Sequence, residues 1–205
     1  MERLIRSVDA FLRSMTGTVS SARPVPLPKG DSAPLSESQR KKSVSLLRIN
    51  HVGEVCAQGL YQGQILASGN CTLQKQLYCA AAEEFDHLYW CLSRLQELDA
   101  SPSILLPFWY GSSFLIGFFA GFCGDQWSLG FLEETEKQVV SHLTEHLEIL
   151  ADGDPKSYAI FSVMQKEEQQ HQDHANLSGA RELPLPIKKC MWLMSRFMVF
   201  VSPKI

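Results

Sequence analysis

Apolar side chains recur along most of this chain at the three- and four-residue spacing of α-helices. The spacing predicts four long helices, over about 36–67, 73–98, 125–150 and 156–177, and no segment alternates as a β-strand does. Ser36 followed by Gln39 is a capping box and marks the start of the first long helix. We therefore predict an all-α chain built on a four-helix bundle.

Two shorter regions precede the bundle. Residues 1–21 carry apolar side chains at helical spacing and predict an amphipathic helix. Residues 22–35 form a proline-rich linker, and the main domain is expected at 36–205.

Two apolar segments point to a membrane surface. Residues 100–124 contain no charged side chain, yet prolines and glycines interrupt them. A single crossing would also separate the two halves of the bundle, so we predict that this insertion dips into one leaflet and returns. Residues 187–201 should form an interfacial helix beside it, with Lys188, Lys189 and Arg196 near the headgroups.

Composition narrows the class of protein. The chain has 205 residues, of which 45% are hydrophobic, so it can bury one substantial core. A net charge of −3 gives no basic field for phosphates, and we expect no nucleic-acid partner. The six cysteines form no Cys-x-x-Cys pair, which favours a reducing compartment. The first residues do not read as a secretory signal and only weakly resemble a mitochondrial transit peptide.

Each long helix places one glutamate on its otherwise apolar, inward row. Two of these glutamates begin a Glu-x-x-His pair, and the order of the motifs repeats between the two halves of the chain. The six candidate metal ligands are Glu54, Glu84, His87, Glu136, Glu168 and His171. Glu83 and Asp86, by contrast, fall on the polar side of the second helix by periodicity.

Four buried carboxylates would be strongly destabilising without cations, because each unpaired buried charge costs several kcal/mol. Two divalent metal ions balance the four charges, and the motif set matches the ligands of di-iron or di-manganese bundles. Iron is favoured because an Fe(II) pair can donate two electrons to dioxygen. A lone glutamate or a single Glu-x-x-His would carry little weight, since exposed helix glutamates are common.

Several other side chains have two readings. Tyr61 lies on the Glu54 row and either orients a ligand or fills the core, and His142 is either an outer partner of the centre or a surface histidine. His51 is either a surface residue or an interhelical hydrogen-bond partner. His146 and His174 are expected to be solvated.

Several motifs together resemble the demethoxyubiquinone hydroxylase family. They are Arg-Ile-Asn-His-Val-Gly-Glu at 48–54, Glu-Phe-Asp-His at 84–87, Gly-Asp-Gln-Trp-Ser-Leu-Gly-Phe at 124–131, Glu-Thr-Glu at 134–136, Glu-Gln-Gln-His at 168–171 and Glu-Leu-Pro at 182–184. The resemblance covers nearly the whole chain.

The resemblance implies a ferritin-like fold with two irons. One iron would take Glu54, Glu84 and His87 and the other Glu136, Glu168 and His171, with Glu84 and Glu168 as bridges. The implied reaction is hydroxylation of a demethoxy-ubiquinol ring, with dioxygen and with electrons from NADH or a reductase. The polyprenyl substrate implies a peripheral protein on the cytoplasmic side of the cell inner membrane, or on the matrix side of the mitochondrial inner membrane in a eukaryote.

Three other functions are compatible with parts of the sequence. The same fold serves ferritin-like iron storage, although storage does not need a 25-residue uncharged segment. A di-iron oxidase of another lipid fits the same ligands, because substrate identity rests on the resemblance. A non-enzymatic membrane scaffold would leave the inward carboxylates unexplained. A homo-oligomer and membership of a ubiquinone-biosynthesis complex both stay open.

Overall fold

A computed structural model of the protein describes residues 1–18, 21–28, 30, 33–151 and 153–204. These residues form seven α-helices and no β-strand, which confirms the all-α prediction. The helices are α1 Glu2–Thr16, α2 Glu37–Ala67, α3 Cys71–Glu97, α4 Leu106–Phe122, α5 Asp125–Leu150, α6 Pro155–Leu177 and α7 Leu185–Val201. Several residues of the predicted segments lie outside the described residues, namely Val19, Ser20, Lys29, Asp31, Ser32, Asp152 and Ile205.

The four predicted bundle helices correspond to α2, α3, α5 and α6, and side-chain capping explains where three of them, α2, α3 and α6, begin. The Ser36 hydroxyl accepts a hydrogen bond from the Gln39 backbone N–H, and the Gln39 side chain accepts one from the Ser36 backbone N–H. Asn70 caps α3 through its side-chain oxygen, and Asp154 caps α6 in the same way through the backbone N–H of Ser157. The predicted capping box is therefore confirmed.

The inward rows of the four helices meet in a continuous core. Leu47 on α2, Trp90 on α3, Leu143 on α5 and Phe161 on α6 are all buried in one apolar cluster. A second cluster continues the core past Tyr61. The predicted apolar rows do face inward, although Asp86 and His146, which were expected on the surface, are buried as well.

The uncharged insertion is one continuous helix, α4, which packs along α2. Glycines set the spacing between the two helices: a Cβ on Gly117 would lie 2.1 Å from the Leu60 carbonyl oxygen, and one on Gly63 would lie 2.2 Å from that of Phe114. Such close approach of two helix backbones requires small residues. The expected turn back within the insertion is absent from the described residues, because Pro107 lies in the first turn of α4, where proline fits a helix.

The two terminal helices are peripheral to the bundle. On α1, the Ser7 hydroxyl donates to the Gln62 side chain at 3.1 Å and Arg3 donates to the Ser68 carbonyl at 3.0 Å. Four apolar side chains of this helix remain exposed, namely Leu4, Ile5, Val8 and Leu12. No residue of α7 is fully buried. Within the described part of the chain, no helix has the combination of length and apolar character needed to cross a bilayer.

Candidate metal centre

The structure brings the six predicted ligand residues together at the middle of the bundle. All six side chains are at most 7% exposed. Their ligand atoms form two groups, in each of which the atoms lie within 4.8 Å of one another. One group contains Glu54, Glu84, His87 and Glu168, and the other contains Glu84, Glu136, Glu168 and His171. Glu84 and Glu168 belong to both groups and lie between the two positions.

The two imidazoles point the same nitrogen toward the centre. Nδ1 of His87 lies 3.1 Å from a carboxylate oxygen of Glu84 and 3.0 Å from one of Glu168. Nδ1 of His171 lies 3.0 Å from Glu84 and 3.3 Å from Glu168. The Glu-x-x-His spacing produces this geometry, because residues three apart are neighbours on a helix surface.

Each imidazole also has an outer carboxylate partner on the opposite helix. Nε2 of His87 lies 2.7 Å from Glu167, and Nε2 of His171 lies 2.9 Å from Glu83. Such outer carboxylates fix the tautomer and orientation of histidine ligands. Periodicity placed Glu83 on the polar side of the helix, where its side chain is indeed 48% exposed, but did not predict its contact with His171. The sequence did contain a signal, since both Glu-x-x-His motifs are preceded by a second glutamate.

Asp86 is buried, so the prediction that it faces solvent is wrong. The start of the linker, together with Ser21 just before it, covers Asp86. The Ser21 hydroxyl and the Ala22 backbone N–H both donate to Asp86 Oδ1 at 2.8 Å, and Arg23 Nε donates to Oδ2 at 2.5 Å. Arg23 also donates to both oxygens of Glu167, at 2.6 and 3.0 Å. The linker therefore connects to the outer partner of His87.

Tyr61 and His142, the two residues predicted as possible outer partners of the metal ligands, have different surroundings. The Tyr61 hydroxyl donates to Glu136 at 3.0 Å, so Tyr61 touches a candidate ligand. His142 instead hydrogen bonds through Nε2 to the Ser195 hydroxyl of α7 at 2.9 Å.

The remaining histidines differ in burial. His146 is buried and hydrogen bonds to Asn50 at 2.9 Å, which contradicts the expectation that it is solvated. His51 is buried within α2, whereas His174 is exposed as expected.

Electrostatics at the centre reflect the crowding of four carboxylates. Burial raises the pKa of Glu54 and of Glu136 well above the ordinary value, and the charges of Glu84 and Glu168 add to both shifts. Burial also opposes the charge of Glu84, but its close contacts with the imidazoles of His171 and His87 hold its pKa well below the ordinary value. Burial opposes the charge of Glu167 as well, and hydrogen bonds from His87 and Arg23 lower its pKa to about 2.

The donor set fits two divalent cations. Glu84 Oε1 and Glu168 Oε1 are buried, and a histidine Nδ1 lies 3.0 Å from each. Neither nitrogen is in hydrogen-bond geometry, so no group among the described residues donates to these oxygens, an arrangement that is costly unless something else binds them. Four carboxylates and two imidazoles supply hard oxygen and nitrogen ligands and a charge that two such ions neutralise. These residues could therefore hold metal.

An apolar cavity of about 410 Å³ lies between α2, α4, α5 and α7. Gly53 and Thr135 line it, and each directly precedes a candidate ligand in the sequence. Trp109, Phe197 and Met194 contribute to its apolar wall, to which a few hydroxyl and amide groups are added. A cavity of this size and lining suits a largely apolar small molecule.

Comparison with known proteins assigns the family. The model of the family described as "Ubiquinone biosynthesis protein COQ7" matches residues 41–202. The chain belongs to this family. The predicted resemblance and the ferritin-like fold class are thereby confirmed.

Curated COQ7-type relatives match over almost their full length. A protein of Xanthomonas oryzae pv. oryzae is 47% identical over 202 residues, which is 98% of this chain and 93% of the relative. A protein of Xylella fastidiosa is 44% identical, with 100% of this chain and 94% of the relative covered. A protein of Azoarcus sp. is also 44% identical, with 100% and 99% covered. Each is named 3-demethoxyubiquinol 3-hydroxylase.

Proposed function

We propose that this chain is a di-iron monooxygenase that hydroxylates the ring of a demethoxy-ubiquinol in ubiquinone biosynthesis. The observation that carries the proposal is the pair of buried ligand groups that share Glu84 and Glu168. The names and high identity of the bacterial relatives support the substrate class. A reduced iron pair, when bound, supplies two electrons to dioxygen and so provides for the insertion of one oxygen atom.

The ligands divide between the two irons. Glu54, Glu84 and His87 would hold one iron, and Glu136, Glu168 and His171 the other, with Glu84 and Glu168 bridging. The outer carboxylates orient the imidazoles, and Tyr61 orients Glu136 through its hydroxyl. The protein's own contribution is therefore to place hard oxygen and nitrogen ligands around a buried centre and to hold them there by hydrogen bonds.

The quinol would enter the apolar cavity between α2, α4, α5 and α7. Its ring would lie near Gly53 and Thr135, next to the candidate ligands, and its polyprenyl tail would run along Trp109 and Phe197. The Thr135 hydroxyl, the Gln138 amide and hydroxyls of α4 offer hydrogen bonds to the ring oxygens. The cavity accepts a lipid head, which a protein that only stores iron does not need.

We also propose that the chain binds peripherally to the cytoplasmic face of the inner membrane. Helices α1, α4 and α7 are neighbours and all three expose apolar side chains. The rings of Phe11 on α1 and Tyr110 on α4 lie 5.1 Å apart, and those of Trp109 on α4 and Phe197 on α7 lie 6.1 Å apart. The exposed residues include Leu4, Ile5, Val8 and Leu12 on α1, Phe108, Leu115 and Phe119 on α4, and Trp192, Leu193 and Phe200 on α7. Amphipathic helices of this kind lie in the interface plane.

Vesicle flotation tests the membrane proposal. The protein should float with vesicles that contain anionic phospholipid, and a Phe197→Ser, Phe200→Ser variant should lose most of that binding. Ile149→Ser is the matched control, because Ile149 is an exposed apolar residue on α5, outside the three helices. Equal flotation of the two variants would show that α7 does not contribute to membrane binding.

Quinone profiling tests the enzymatic proposal. A bacterial strain that lacks its own hydroxylase should accumulate demethoxyubiquinone and recover ubiquinone when this chain is expressed. The Glu84→Ala, Glu168→Ala double variant should fail to restore ubiquinone, whereas Glu133→Ala should restore it, because Glu133 contacts only the exposed Asn176 among the described hydrogen bonds. Full rescue by the double variant would reject the centre as the active site.

A further inference from the structure

The two metal positions are related by the repeated motif, but their outer partners differ. Glu167, which contacts His87, is 18% exposed, whereas Glu83, which contacts His171, is 48% exposed. Arg23 forms an ion pair with Glu167, while no lysine or arginine among the described residues forms one with Glu83. One outer carboxylate is thus fixed and the other is not.

Arg23 is itself held firmly although it belongs to the linker. Its guanidinium bonds to Asp86 and to both oxygens of Glu167, a two-sided arrangement that suits a planar fork. The same guanidinium stacks over the Trp90 ring at 4.8 Å from the centroid. Ser21 and Ala22 anchor the neighbouring backbone to Asp86. This segment therefore covers the His87 side of the bundle.

The His171 side is open by comparison. A surface cavity of about 520 Å³ reaches His171, and its lining includes Glu83, His174 and Tyr61. Water and small chelators can approach this histidine through the cavity. The corresponding approach to His87 is covered by Arg23 and Glu167.

We infer that Arg23 is a positioning residue that makes the two metal positions unequal, so that the ion held by His87 is released more slowly than the ion held by His171. The inference rests on the proposed di-iron centre. For an ion to leave, its bond to the histidine must break, and a carboxylate fixed by Arg23 resists the movement of His87 away from the ion. Outer partners of metal-bound histidines alter metal affinity by about 10- to 100-fold, and a residue one step further out should act near the low end of that range.

Iron release from the full-length protein tests this inference. The protein is loaded anaerobically with two equivalents of Fe(II) and mixed with a coloured ferrous chelator, and the absorbance is followed over time. We expect two phases of equal amplitude. Arg23→Gln should accelerate the slow phase by about tenfold and leave the fast phase unchanged. Glu83→Gln should accelerate only the fast phase, which assigns that phase to His171.

Two further variants separate positioning from general destabilisation. Arg23→Lys keeps a cation on the linker but lacks the fork that holds Asp86 and Glu167 together, so it should also accelerate the slow phase. Arg13→Gln is the matched control. Arg13 of α1 stacks over Phe85 of α3 and has no described ion pair with Asp86 or Glu167, so both phases should stay as in the wild type.

The outcomes distinguish this inference from the proposed function. A single release phase in the wild type, or an Arg23→Gln variant that changes both phases equally or neither, overturns the inference while leaving a two-iron protein. A wild-type protein that binds no iron overturns the proposed function itself.

Discussion

The close packing of α4 on α2 gives a sharp test of the fold around the apolar cavity. In a Gly117→Ala variant the new methyl group would lie 2.1 Å from the Leu60 carbonyl oxygen and 2.9 Å from its carbon. Ordinary contacts of this kind begin near 3.4 Å, so the helices must separate by roughly 1 Å. Overpacking of this kind costs about 1–3 kcal/mol, and the upper end applies because the contacted atoms are helix backbone.

The matched control lies on the same helix. A Cβ on Gly111 would meet no atom within 4 Å, so Gly111→Ala should gain up to about 1 kcal/mol from helix propensity alone. Gly117→Ala gains the same helix propensity, but overpacking costs more than this gain, so its free energy of unfolding should fall by about 2 kcal/mol.

Thermal unfolding, followed by circular dichroism in one detergent, measures the difference. A chain of this size shifts its Tm by about 2–4 °C per kcal/mol, so Gly117→Ala should melt about 4–8 °C below the wild type and Gly111→Ala slightly above it. If the two variants melt within about 2 °C of each other, α2 and α4 are not in close backbone contact at Gly117.

Two further predictions concern buried side chains near the centre. Burial lowers the pKa of His146 to about 4, so this histidine stays neutral in the folded state at pH values where the unfolded chain already binds a proton. The protein should therefore lose stability as the pH falls from about 6.5 toward 4, by about 2 kcal/mol at pH 5 from His146 alone, and a His146→Gln variant should show a smaller drop in Tm between pH 7 and 5. Tyr61→Phe removes the hydrogen bond to Glu136 and should lower the affinity for the iron held by Glu136 by about tenfold in chelator competition. An unchanged affinity would show that Tyr61 only fills the core.

The bundle and its six candidate ligands could be predicted because helical periodicity is a local property of the sequence. A glutamate such as Glu54 on an apolar row is an anomaly visible without any knowledge of tertiary structure. The same logic failed for Asp86, since its hydrogen-bond partners lie 63 to 65 residues away in the linker. Periodicity identifies the face of a helix within the bundle, but it does not reveal what covers the opposite face.

The remaining differences have the same origin in tertiary contacts. Prolines and glycines in the uncharged segment suggested interruptions of a helix, yet Pro107 lies in the first turn of α4 and Gly117 allows close contact with α2. As a histidine, His146 was expected at the surface, but it is buried against Asn50 and Phe161 of neighbouring helices. Such pairings depend on which helices become neighbours, which local spacing does not encode.

Labelled dioxygen provides the most direct test of the proposed reaction. The purified protein, loaded with iron and supplied with a reductant and a demethoxy-ubiquinol, is placed under ¹⁸O₂, and the quinone product is analysed by mass spectrometry. For a di-iron monooxygenase we expect one labelled oxygen in the new ring hydroxyl and no product from the Glu84→Ala, Glu168→Ala variant. A hydroxylated product whose new oxygen comes from water would contradict this mechanism.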